Sequence, residues 1–289
     1  NGTGTTTLSG LSNAWGSATV NAGILSAGVA SGLGNGSAMI VNSGGTLATN
    51  GNPVGAAVGS LSGSGIVQNG SNNNSGLIIS GNTSTTFSGV LQNGGTRSLF
   101  LTKMGAATTL TLSGGSSTYT GVTTITGGTL SVSTLADGGS ASSIGASSSA
   151  ATSLVLNGGT LKYSVGAGAA VSTDRLFSVG TSGGTIDASG GFNINFTSTG
   201  SMGFNSQSGA RTLTLTGSNA NDNTLAAVIG DNGGATSVTK AGSGVWVLSG
   251  TNTYTGVTTL SGTGALKVSS LANGGSASSI GASSNLASN

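Results

Sequence analysis

Apolar and polar residues alternate along this chain in short bursts. "TLTLSG" (Thr109–Gly114), "TLSVS" (Thr129–Ser133), "FNINF" (Phe192–Phe196) and "TLTLTG" (Thr212–Gly217) each put every second side chain on one face. That is the period of a half-buried β-strand. Thr and Val are frequent in these bursts, because branching at Cβ suits a pleated surface. Between them stand "NGG", "SGG", "DNGG" and "NGN", tight-turn sequences in which Gly and Asn adopt positive φ at little cost. No stretch combines helical spacing with caps. The single proline, Pro53, falls in a turn-like segment and interrupts no strand.

The bursts recur in a larger unit. "GGSASSIGASS" stands at Gly138–Ser148 and again, unchanged, at Gly274–Ser284. "TYTGVTT" precedes each copy, at 118–124 and 253–259, and "LTKMG" (Leu101–Gly105) and "VTKAG" (Val238–Gly242) stand further upstream. A worn third copy opens the chain: "NGTGTTTLSG" (Asn1–Gly10) aligns without gaps on "AGSGVWVLSG" (Ala241–Gly250). The expected organisation is one continuous array over 1–289, with a degenerate unit at about 1–100, a second at 101–237 and the start of a third at 238–289. Neither end shows a polar or helical cap, so the chain is expected to be a fragment that continues on both sides or docks to another copy.

Short strands joined by Gly/Asn turns and repeated in register predict an all-β fold, a parallel β-helix (β-solenoid). Each coil completes its apolar face against its neighbours. At ~22 residues per coil, spaced ~4.8 Å, the chain makes roughly a dozen coils, about thirteen by division, in a rod on the order of 60 Å long. Strand parity sends Leu130 and Val132 inward and Ser131 outward; likewise Leu266 and Val268 point in and Lys267 out.

Composition sharpens this picture. Charged residues are 4% of the chain, against about 25% in an ordinary globular protein. Stacked coils explain the deficit, since like charges ~4.8 Å apart repel whereas Ser, Thr and Asn stack well. The net charge of +2 comes with no basic cluster, so nucleic acid and anionic membrane surfaces are excluded as partners. No apolar run approaches the ~18 residues of a membrane helix. The absence of cysteine fits a protein that crosses a membrane unfolded, and fits equally a protein that happens to lack it.

Candidate chemistry is sparse. There is no His, Cys or Glu, which removes Ser-His-Asp and Cys-His catalysis, zinc sites and Glu-based glycosidases. The repeat lysines Lys103 and Lys240 are expected to be solvated or ladder residues, because chemistry seldom duplicates in register. The acids Asp137, Asp174, Asp187, Asp222 and Asp231 are scattered, with Asp137 and Asp231 in turns that favour local backbone hydrogen bonds. The calcium-binding G-G-x-G-x-D repeat does not occur. No catalytic residue, cofactor or metal ligand is therefore assigned. Trp15 and Trp246 are the candidates for sugar stacking, and Tyr119 and Tyr254 for a surface patch. The competing reading of all four is packing. It is favoured for all four: for Trp15 and Trp246 as core or coil-edge residues, Trp246 also taking the register of Leu110, and for the tyrosines beside their turns.

The repeat resembles a known family. "LTKMGAATTLTLSGGSSTYTGVTTITGGTLSV" and "VTKAGSGVWVLSGTNTYTGVTTLSGTGALKV" are similar to the autotransporter-associated β-strand repeat, strongly over about 85–135 and 223–270 and weakly over 1–48. The resemblance implies a right-handed parallel β-helix in the passenger region of a type V secreted bacterial protein, extracellular or at the cell surface. Such proteins usually end in an outer-membrane β-barrel, with ~10-residue alternating strands; this chain has none, so the barrel lies outside it or the repeats serve a protein anchored otherwise. The expected function is that of a stiff, uncharged adhesive rod in cell adhesion, aggregation or biofilm matrix. Its partners would be other copies of itself, end to end or laterally, or surface glycans and host-cell molecules, and it would meet a membrane only through an anchor outside the chain. The alternatives are a polysaccharide-binding β-helix, one that cleaves its polysaccharide, and a passive stalk.

Overall fold

Each sheet of the computed structural model pairs its strands in parallel, and only one short 3-10 turn, Ala151–Ser153, interrupts the β structure among the described residues. The structure describes residues 2–10, 15–28, 33–34, 36–50, 55–164 and 170–286; the turn expected at Pro53 lies outside them. The fold is an all-β parallel solenoid of about eleven turns. Steps between paired strands range from 19 residues (Thr5 to Ile24) through 25 (Thr85 to Leu110) to 29 (Gly184 to Leu213). The longer steps, of 25 and 29 residues, exceed the ~22 residues assumed from repeat arrays and lower the number of turns from thirteen.

The chain forms two compact units. The first comprises Asn1–Thr134 with Gly139–Ser148, the second Leu135–Gly138 with Ser149–Asn289. In the first unit one stack runs Thr5–Leu8, Gly23–Ala27, Gly45–Ala48, Ile66–Asn69, Val90–Gly94. A second runs Ser17–Val20, Ala38–Val41, Ser60–Gly63, Thr85–Phe87, Thr109–Leu112, Thr129–Val132, and a third Ala56–Val58, Ser75–Ile79, Leu99–Lys103, Thr123–Ile125. In the second unit the main stacks are Thr160–Tyr163, Gly184–Ala188, Arg211–Thr216, Thr236–Lys240, Thr258–Leu260 and Val171–Thr173, Ile194–Phe196, Asp222–Leu225, Val245–Leu248, Leu266–Val268.

Registers turn sequence alternation into columns. Val41, Gly63, Phe87, Leu112 and Val132 occupy successive levels of one inward column in the first unit, and its apolar members are buried. Burying each large side chain contributes on the order of 1.5–3 kcal/mol. Gly63 keeps its level only as glycine: its φ is +103°, and a Cβ would lie 2.2 Å from the Val41 carbonyl oxygen. On the outer face of the second unit Thr160, Thr185, Thr214, Thr239 and Thr259 stand on one another over five levels. The uncharged stack expected from composition is thus built there.

Parity holds for most of the predicted faces. Leu130 and Val132 are buried, and Lys267 is exposed between half-buried Leu266 and Val268. Ser131, expected to face solvent, is buried instead. Alternation assigns a side chain to a face of its sheet, and it says nothing of whether that face is covered.

Candidate functional site

The recurring phrase builds the same corner in each unit. In the first, Tyr119 is fully buried and its hydroxyl pairs with Thr123 Oγ1 at 2.7 Å. The backbone N–H of Ala146 donates to the Tyr119 carbonyl at 2.7 Å, and Ser142 Oγ donates to the Gly145 carbonyl at 2.9 Å. Ser143 Oγ accepts from the N–H groups of Ser133 and Thr134 at 3.2 and 3.1 Å. In the second unit Tyr254 pairs with Thr258 Oγ1 at 2.7 Å, Ala282 donates to the Tyr254 carbonyl at 2.8 Å, and Ser278 Oγ donates to the Gly281 carbonyl at 2.9 Å. Ser279 Oγ accepts from Ser269 and Ser270 at 3.2 and 3.1 Å. The "SSIGAS" loop therefore folds back onto the tyrosine of "TYTGVTT" and satisfies its backbone polar groups, as buried groups require. The phrase carries shape.

The repeat lysines correct an expectation. Lys103 and Lys240 are each 1% exposed, where solvated or ladder positions were predicted. Lys103 pairs in register with Ile79 and Ile125, so its alkyl stem occupies a level of an apolar column. Its Nζ donates to the Gly105 carbonyl at 2.7 Å and to Thr108 Oγ1 at 2.9 Å. Lys240 pairs with Leu215 and Leu260, and donates to the carbonyls of Ala241 at 2.8 Å and Gly242 at 3.3 Å. Burial pushes both ammonium groups below the ordinary lysine value. A sequence signal was present: Leu99, Leu101 and Lys103 share one parity in "LFLTK".

Two buried arginines work in the same way, and sequence reasoning missed both. Arg211 donates through Nη1 to the carbonyls of Val179 (2.6 Å) and Phe204 (3.2 Å), and through Nη2 to Gln207 (2.8 Å) and Gly209 (3.0 Å). Its guanidinium lies 4.8 Å from the Phe204 ring centroid. Arg175 Nε donates to the Ala136 carbonyl at 2.9 Å. Buried Asn69, Asn223 and Asn252 collect turn carbonyls likewise; Asn223 Nδ2 donates to Val245 O at 2.7 Å and Asn252 Nδ2 to Ser279 O at 2.7 Å.

The acids remain apart, with one exception. Asp137 Oδ1 accepts the N–H of Asp174 at 2.9 Å, and Asp174 Oδ1 accepts the N–H of Gly138 at 2.7 Å. Asp187 faces Lys162 at 3.8 Å and Asp222 faces Lys267 at 2.7 Å. Asp231 is bound by backbone and threonine groups. Among the described residues no three acidic, His or Cys side chains gather where a metal ion could be held.

Of the four aromatic candidates, Tyr119, Tyr254 and Trp246 lie in the core without exposed surface. Trp246 faces inward, and its Nε1 donates to the Thr216 carbonyl at 2.9 Å. Such rings have no face to offer a solute. Trp15 is half-buried; its Nε1 donates to the Leu33 carbonyl at 2.9 Å, and it lines an open groove of about 460 Å³ with Leu8, Val20, Ile24 and Leu25.

Fold and corner together define a parallel β-solenoid assembled from a recurring coil, whose buried polar groups serve the turns. The coil matches the model of the passenger-associated-transport-repeat at residues 1–27, 101–132 and 238–269. Over 295 aligned residues it is 45% identical to the adhesin BmaC autotransporter of Brucella suis biovar 1 (strain 1330). That alignment takes in 100% of this chain and 8% of the relative's length. No solved structure matches the chain.

Proposed function

We propose that this chain is an adhesive, non-enzymatic segment of an autotransporter passenger, exported and displayed at a bacterial cell surface. The observation that carries the reading is the 45% identity to an autotransporter adhesin over the whole chain, in a solenoid whose repeated residues build corners. Its working surface is the stacked outer face, with the threonine column Thr160–Thr185–Thr214–Thr239–Thr259 as its most regular part, beside the Lys162–Asp187 pair. Adhesion by such a surface uses many weak polar contacts in parallel, which multivalency converts into attachment.

The test is deletion of residues 1–289 from the parent protein with export kept intact. The expected result is a loss of cell attachment with surface display unchanged. Attachment that survives the deletion and falls only with the length of the remaining stalk would replace adhesion by a spacer role. The proposal extends to homo-association. Copies would associate side by side through the same stacked threonine column. Sedimentation showing a monomer at all concentrations would remove that extension and leave the adhesive reading in place.

A further inference from the structure

The two units hold the same turn with different side chains. In the first, Asn93 is the extra residue of a β-bulge, between Gln92 paired with Gln68 and Gly94 paired with Asn69. Its Oδ1 accepts the N–H groups of Leu99 (3.0 Å) and Thr120 (3.1 Å), and its Nδ2 donates to Thr120 Oγ1 (2.9 Å). In the second, Asp231 Oδ1 accepts the N–H of Thr236 (2.7 Å), while Oδ2 accepts the N–H (3.0 Å) and the hydroxyl (2.6 Å) of Thr255. The partners are equivalent. Leu99 and Thr236 each stand two residues before the L/V-T-K triplet, and Thr120 and Thr255 each follow the tyrosine of "TYTG". One cradle thus holds a carboxamide in one copy and a carboxylate in the other.

Asn93 is followed by Gly94, which has φ +74° and no Cβ to crowd the asparagine side chain. We infer that Asn93 is a site of spontaneous deamidation whose aspartate form belongs to the native state. The Gly94 amide nitrogen bonds to Cγ of Asn93 and gives up its proton, the Cγ–Nδ2 bond breaks, and ammonia leaves. Water then opens the cyclic imide, at the Cγ–N bond to give aspartate or at the backbone carbonyl to give isoaspartate. Nothing is oxidised or reduced. In the aspartate form both backbone N–H donors keep their acceptor. Thr120 Oγ1 turns its proton onto the new oxygen, as Thr255 does to Asp231, and accepts from Ser98 Oγ, which lies 2.9 Å away.

The chain contains its own control. Asn69 sits in the same tripeptide, Gln-Asn-Gly, at 68–70, as Asn93 does at 92–94. Local sequence therefore gives both the same intrinsic reactivity, and only the fold separates them. Asn69 is fully buried, and its Nδ2 donates to the carbonyls of Asn73 (2.8 Å), Ser98 (3.1 Å) and Arg97 (3.3 Å). A carboxylate there would face three carbonyl oxygens with nothing to donate, a buried mismatch that is costly.

The experiment is peptide mapping by mass spectrometry after incubation of the folded chain at mildly alkaline pH, with the urea-unfolded chain as reference. The expected result is conversion at residue 93 and retention of the amide at residue 69 in the folded chain, with both converting in urea; either ring-opening product scores as conversion. An Asn93 that keeps its amide as well as Asn69 does, or an Asn69 that converts as fast as Asn93, would overturn the inference. Thermal melting supplies a second arm: Asn93→Asp melts with the wild type and Asn69→Asp melts lower. An Asn93→Asp variant that melts as low as Asn69→Asp would overturn the claim that the aspartate form is native.

Discussion

A single lysine shows how this protein satisfies a turn. Lys103 passes its stem through an apolar column and brings three potential donors to a glycine turn. Lys103→Met keeps the stem and leaves buried acceptors without a donor, so it should cost about 1–3 kcal/mol. Lys162→Met, at a half-exposed ion pair, should be nearly neutral; denaturant unfolding of both variants checks the contrast. Tyr254 provides the pH counterpart. Burial pushes its phenol from 10.0 up to about 12, opposed by its hydrogen bond with Thr258. The folded state thus holds the proton more tightly than the unfolded one. The stability this contributes is complete below pH 10.0 and is lost as pH climbs toward about 12. Tyr254→Phe should lose less stability than wild type across that window, in unfolding measured as a function of pH. Lys240 shifts the other way and is common to both proteins, so it drops out of the comparison.

Corners, more than strands, distinguish this solenoid from a generic stack of alternating segments. Gly281 has φ +84°, and a Cβ on it would lie 2.5 Å from the Tyr254 carbonyl oxygen; Gly145 repeats this against Tyr119 at 2.3 Å. Gly275 has the same φ of +84° with nothing within 4 Å. Gly275→Ala should therefore cost only the left-handed conformation, about 1–2 kcal/mol. Gly281→Ala must also displace the loop from the tyrosine, and should melt below Gly275→Ala. Equal melting of the two variants would show that the loop–tyrosine contact contributes nothing. Strands were legible in the sequence because a period of two marks them locally. The corner was legible only as repetition: "SSIGAS" and "TYTGVTT" are separated by enough chain that no local rule pairs them. Asn93 and Asp231 looked like unrelated turn residues until register gave them the same neighbours.

At the scale of the whole molecule, low charge has a measurable consequence. The two ion pairs among the described residues are at least partly exposed, and such pairs contribute about 0–1 kcal/mol each. Sodium chloride should then move the melting temperature by less than ~2 °C, the shift that about 0.5 kcal/mol produces in a chain of this size. A larger salt dependence in calorimetry would mean that charge does more in this fold than the geometry assigns to it.

The sequence by itself determined the strand class, the recurring unit and the absence of His, Cys and Glu chemistry, because these rest on local alternation, identity at fixed offsets and composition. It also carried the family resemblance, since the matched repeat is written in contiguous residues. Tertiary structure decided what alternation leaves open. It buried Lys103 and Lys240, because register sets their stems between apolar residues of neighbouring coils, and Arg175 and Arg211, because carbonyls from segments distant in the chain receive them. It placed Tyr119, Tyr254 and Trp246 in the core and left Trp15 part of its surface. It also set the number of turns, since coil length follows from register between strands rather than from any one stretch of residues.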